Sequence, residues 1–160
     1  MDADSEDMMK LIERVMALWN AHDTTRVNEV YSSDFVGLDM TEQAVVEGPQ
    51  GVAKQLERYV QAFPDLTFKT LRAIQQKDCV ALFWTASGTH RGKLLNIPPT
   101  GRYLEVQGTT LLTMEHDKVK QAVYLWDMAG LLRAIGLLPE LEPHPPIDLN
   151  QFLNALTVCD

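Results

Sequence analysis

The stretch YLEVQGTTLLTMEHDKVKQAVYLWDMAGLLRAIGLLP, residues 103–139, changes character part-way along. Residues 103–116 and 118–127 are rich in Val, Leu, Tyr and Thr, and a tight turn around Asp117 joins them. That is the pattern of two antiparallel strands in a hairpin. Beyond Asp127 a short helix is predicted over about 128–135, with Gly136 at its C′ position and Pro139 just past it. One carboxylate, Asp127, stands at the junction inside an otherwise apolar run.

Upstream, RGKLLNIPPTGR (91–102) is a long hairpin loop, because Pro98, Pro99 and Gly101 stop it from continuing as strand. CVALFWTASGTH (79–90) is apolar at first, like a strand covered on both faces. LTFKTLRAIQQ (66–76) alternates, with a shift between Phe68 and Leu71 that predicts a bulge. The N-terminal part is helical instead. Met8, Leu11, Ile12, Val15 and Trp19 recur at helical spacing over 5–21, with Ser5 placed as the N-cap. A short second helix is predicted over 25–31, and DFVGLD (34–39) reads as a strand. EGPQG opens a third helix with Pro49 in its first turn, and Val52, Leu56, Tyr59, Val60 and Phe63 form its stripe up to Pro64. Helices first, then a mostly antiparallel sheet, then a closing helix define an α+β fold with helices on one face of a bent sheet.

The totals set limits. The 160 residues fit one domain, with 1–139 as its body. A net charge of −8 with scattered Lys and Arg argues against nucleic acid and anionic membranes as partners. No apolar run approaches the ~20 residues that cross a bilayer. The acidic start MDADSED differs from a basic signal peptide, so a cytoplasmic protein is expected. Cys79 and Cys159 suggest neither a disulfide framework nor a zinc site, and no histidine pair has metal-ligand spacing. After Pro139 a Pro-rich linker leads to Leu149, Phe152, Leu153 and Leu156, a short apolar helix in 140–160 that needs a surface to dock on.

Two readings of Asp127 stand side by side: a cap for the following helix, or a proton-transfer group in apolar surroundings. His90 is either a solvated rim residue or part of a pocket. The large aromatics Trp19, Tyr59, Phe63, Trp84 and Trp126 are either plain core or a pocket wall.

EGPQG, FPDL, GTHRG, PPTGR and WDMAGLLRAIGLLP, in this order and spacing, resemble the SnoaL-like polyketide cyclases of the nuclear-transport-factor-2-like superfamily, over about residues 8–139. The resemblance implies a cone-shaped bent sheet wrapped by N-terminal helices around a deep pocket, in the cystatin-like manner. It implies intramolecular aldol chemistry on an enolisable apolar carbonyl compound, without metal or organic cofactor. It makes Asp127 the acid/base residue and carries Trp19 and His90 with it. The chain departs from the pattern in having no histidine within 103–114, where Gln107, Thr109, Thr110 and Thr113 remain as polar partners. A homodimer paired through the outer sheet face is the expected assembly. The alternative is a non-catalytic protein that holds an apolar small molecule in the same pocket.

Overall fold

The structure is a computed structural model that describes residues 3–140 and Asp148. Helix α1 (Ala3–Ala21) buries Met8, Leu11, Ile12, Val15, Leu18 and Trp19 along one stripe, as the spacing requires. It starts ahead of Ser5, so Ser5 lies inside the helix and is not its cap. The segment expected as one helix over 25–31 is divided. Asp23 caps a 3₁₀ turn (Thr24–Arg26) by accepting from the Thr25 N–H at 2.9 Å, and a single turn, α2 (Val27–Val30), follows. Tyr31 already begins strand β1 (Tyr31–Asp39). The short strand β2 (Ala44–Glu47), which the sequence did not announce, leads into α3 (Gly48–Ala62).

The expected strands follow as β3 (Thr67–Gln76), β4 (Cys79–Thr89), β5 (Tyr103–Glu115) and β6 (Lys118–Trp126), and α4 (Met128–Ala134) closes the body. They form one curved, open, six-stranded sheet in the order β2-β1-β6-β5-β4-β3. Consecutive strands from β3 to β6 pair antiparallel, and β1 with β2 likewise. The exception is β1 on β6, which is parallel. The register of β3 slips between Thr70 and Arg72, so the bulge falls at Leu71, where the broken alternation put it. Among the described residues no helix is long and apolar enough to cross a membrane. The linker and the apolar segment expected at 140–160, with its docking surface, lie outside the described residues save for Glu140 and Asp148.

Pairing places particular residues in rows across the sheet. Asp39 neighbours Tyr124, Tyr124 neighbours Thr110, and Thr110 neighbours Leu82. This row faces α1 and α3. One residue along each strand, Leu38, Val123, Leu111 and Ala81 form the matching row on the outer face.

The 91–102 loop is tied down at its base. His90 N donates to Arg102 O and Gly101 N to His90 O, both at 2.8 Å. The N–H groups of Arg91 and Gly92 both donate to Ala62 O at 3.0 Å and so satisfy the end of α3. Gly92 comes so close that a Cβ there would lie 1.9 Å from Gln61 O, a backbone atom that cannot step aside. Gly92→Ala is therefore expected to cost on the order of 1–3 kcal/mol in urea unfolding. A stability equal to that of the parent would show that the contact between loop and helix is looser than described.

Candidate functional site

A cavity of about 110 Å³ lies between α1, α3 and the inner face of the sheet. Trp19, Tyr59, Phe63, Trp84 and Trp126, the five aromatics singled out from the sequence, all contribute to its wall. Leu94 from the loop and Leu131 from α4 complete one end. Phe68 stands edge-on to both Trp19 and Trp84, with 5.5 Å between ring centroids in each pair.

The chain has three tryptophans, and all three line this cavity. Each indole N–H donates to an oxygen of a residue in the same wall. Trp19 donates to Tyr31 Oη at 2.9 Å, Trp84 to Thr110 Oγ1 at 2.9 Å, and Trp126 to Asp39 Oδ2 at a longer 3.4 Å. Gly108 makes room for this arrangement. It is the cross-strand neighbour of both Trp84 and Trp126, and a Cβ there would lie 2.3 Å from Trp84 Cζ2.

Asp39 is the carboxylate of the wall, with 1% of its surface exposed. Its Oδ1 accepts from the N–H groups of Thr41 at 3.0 Å and Glu42 at 2.9 Å, so the turn after β1 holds it in place. Tyr124 and Tyr59 lie near it, and Tyr31 stands beyond Tyr124. Burial pushes the Tyr31 hydroxyl up to about 12. Burial also raises Tyr124, reinforced by the neighbouring Tyr31, and raises Tyr59, reinforced by Glu42. All three are thus protonated across the physiological range. Tyr59 Oη donates a hydrogen bond to Glu42 Oε1 at 2.8 Å, and Arg58 Nη1 holds Glu42 Oε2 at 2.7 Å. Tyr124 Oη sits beside the Tyr31 hydroxyl but completes no hydrogen bond of good geometry, and Gln55 Oε1 on α3 is likewise buried without a donor.

The structure corrects the two polar positions expected from the sequence. Asp127 does not line the cavity. It is exposed, and its Oδ1 accepts from the Gly130 N–H at 2.7 Å as the N-cap of α4. Strand period explains this: Ala122, Tyr124 and Trp126 face inward, so the next residue faces away. Gly130 is small for the same reason, since a Cβ there would lie 2.2 Å from Asp127 Oδ2. His90 is not a solvated rim residue but is wholly buried behind the wall. Its ring lies 5.2 Å from that of Phe63, and Nδ1 shares a hydrogen bond with Thr100 Oγ1 at 3.1 Å. Its Nε2 completes no hydrogen bond of good geometry.

Of the four polar candidates on 103–114, only Thr110 reaches the cavity; Gln107, Thr109 and Thr113 alternate onto the other face. Asp39, Tyr31 and Tyr124 were not anticipated. The same alternation would have found Asp39, because Phe35, Gly37 and Asp39 are buried at every second position along the end of β1. Among the described residues no three His, Cys, Asp or Glu side chains gather as metal ligands would.

The chain belongs to the SnoaL-like polyketide cyclase family, which it matches over residues 9–135. Solved structures agree. A candidate SnoaL-like polyketide cyclase from Jannaschia sp. CCS1 superposes with a TM-score of 0.78 at 19% identity, covering 87% of this chain and 98% of that one. AclR, a candidate hydroxylase from Streptomyces galilaeus, gives 0.76 at 26% identity, covering 97% of this chain and 96% of its own. IdmH, a candidate polyketide cyclase from Streptomyces antibioticus, gives 0.71 at 20%, covering 80% and 97%. Among curated proteins none matches.

Two measurements check these placements. Asp127→Asn should leave stability nearly unchanged, since asparagine caps as well as aspartate, whereas Asp127→Ala should cost about 1 kcal/mol. His90 carries a pH signature. Burial lowers its pKa from 6.5, so above that value the imidazole is neutral whether the chain is folded or not. As pH falls below about 6.5 the unfolded chain takes up a proton that the folded one refuses, and stability declines. The carboxylates held below their usual value of 3.8, such as Asp65 beside Thr89, lose their contribution only at lower pH. His90→Asn should therefore flatten the decline in stability below about pH 6.5; an unchanged slope would contradict it.

Proposed function

We propose that the protein is a cofactor-independent enzyme of the cyclase or isomerase type, acting by acid/base, aldol-type chemistry on a small, apolar, enolisable carbonyl compound. The observation that supports this best is Asp39, a buried carboxylate in a wall otherwise made mostly of aromatic and aliphatic side chains with a few hydroxyls. The family membership points to the same chemistry.

In this reading the aromatic wall takes up the apolar body of the substrate and excludes water. Asp39 removes the proton α to the carbonyl, and protonated hydroxyls hold the oxygen on which charge develops. The enol carbon attacks a second carbonyl of the same molecule, and Asp39 returns its proton to the resulting alkoxide. Asp39 thus takes the part that the resemblance gave to Asp127, which caps α4 in either case. His90 acts from behind Phe63 by fixing the wall and the loop.

The likeness to AclR favours one second reading, hydroxylation of a ligand in the same cavity. Product mass separates the two: aldol closure conserves the substrate's atoms or sheds water, whereas hydroxylation adds an oxygen. A purely ligand-holding role would return the compound unchanged.

The test is Asp39→Asn. The amide oxygen can still accept from Thr41 and Glu42, so the turn should survive. Turnover of a diketone that closes in the parent protein should fall by ~10²–10⁴-fold, with ligand retention little changed and melting temperature lowered by no more than the loss of the long Trp126 hydrogen bond, which the amide nitrogen cannot accept. Full activity in this variant would remove Asp39 from the mechanism.

A further inference from the structure

Thr110 stands in the inner row of the sheet, next to Tyr124 and two strands from Asp39. It is buried and lines the cavity. The indole N–H of Trp84 occupies one lone pair of Oγ1 at 2.9 Å. Among the described residues nothing accepts the hydroxyl's own hydrogen. A hydroxyl that accepts from a fixed indole has its remaining directions restricted, and here the open side is the cavity. Accepting one hydrogen bond also polarises the O–H and makes it a better donor. A buried donor with no acceptor is costly, so an occupant that brings an acceptor gains from meeting it.

We propose that Thr110 is the group that binds the carbonyl oxygen of the ligand, that Trp84 positions its proton for this, and that the cavity therefore selects ketones over hydrocarbons of the same shape. The proposal rests on the carbonyl-compound reading above and assigns one residue and one atom of that site. Neighbouring strands lie about 4.8 Å apart, so Thr110 and Asp39 are separated by about 10 Å at their Cα atoms. Both side chains line the same cavity, so one ligand can meet Thr110 with its carbonyl oxygen and Asp39 with its α-carbon. A hydrocarbon of equal size leaves the hydroxyl unpaired, and sites built around a hydrogen bond reject such analogues strongly.

The probe is acetophenone labelled with ¹³C at the carbonyl. It carries no second carbonyl and so can bind without closing a ring. In the parent protein its carbonyl stretch should move to lower frequency than in hexane, and it should bind more tightly than ethylbenzene. Thr110→Val should abolish the frequency shift and weaken acetophenone binding ~3–10-fold, leaving ethylbenzene unaffected. Thr110→Ser should restore the shift. Because T110V strands the Trp84 N–H, the pair W84F and W84F/T110V repeats the comparison with both partners removed. W84F should show a reduced shift, and the double variant none.

A frequency in T110V, or in the double variant, equal to that of its Thr110-containing parent would overturn the role of Thr110 while leaving a ketone-binding cavity. Failure of the parent protein to bind acetophenone in preference to ethylbenzene would overturn the carbonyl reading itself. Turnover enters neither comparison, so the two failures remain distinct.

Discussion

The parallel pairing of β1 along β6 is the contact on which the site depends. It joins an N-terminal segment, delivered by the split helical turn at 24–30, to the last strand of the sheet. Through it Asp39 comes to rest beside Tyr124, and the turn after Asp39 brings Glu42 to Tyr59. The same pairing adds β1 and β2 to the sheet formed by β3 to β6, and α3 packs over them. Without it the cavity would lose its carboxylate and also Tyr31, the acceptor for the Trp19 indole.

A second constraint acts on the wall itself. A buried indole must give its N–H to an acceptor or bear the cost of desolvation. Here the three indoles meet that requirement with two hydroxyls and a carboxylate, all oxygens of residues that line the cavity. The aromatic surface and the polar atoms are therefore not independent features. Moving a ring frees an oxygen, and moving an oxygen strands a ring, so the interior is set in orientation before any ligand arrives. Gly108 is the point at which this arrangement presses on the backbone.

Much of the scaffold was legible locally. Alternation marked β3, an apolar run marked β4, strand-rich segments about a tight turn marked β5 and β6, the broken alternation marked the bulge at Leu71, and helical spacing marked α1 and α3. The wall aromatics followed from the family resemblance, because in such a fold the inner core is the pocket. The parallel ladder was not legible, since it joins segments some eighty residues apart and leaves no local mark. Asp127 misled because a carboxylate at a strand end before an apolar helix suits both a cap and a base. Counting faces from Ala122 through Tyr124 and Trp126 decides for the cap, and the same count along β1 points to Asp39. GTHRG also had a different meaning. Its last glycine admits the end of α3, and its histidine braces Phe63 from behind.

The tryptophan arrangement has an optical consequence. Indole emission depends on local polarity and on the hydrogen bond made by its N–H. Every tryptophan of the chain lies in the cavity wall and donates to an oxygen there, so none contributes a background signal from elsewhere. Intrinsic fluorescence of this protein is in effect a readout of its interior. An entering aromatic compound changes the surroundings of all three emitters at once. Such an occupant can be followed without a label or a chromogenic reaction, whatever its chemical identity.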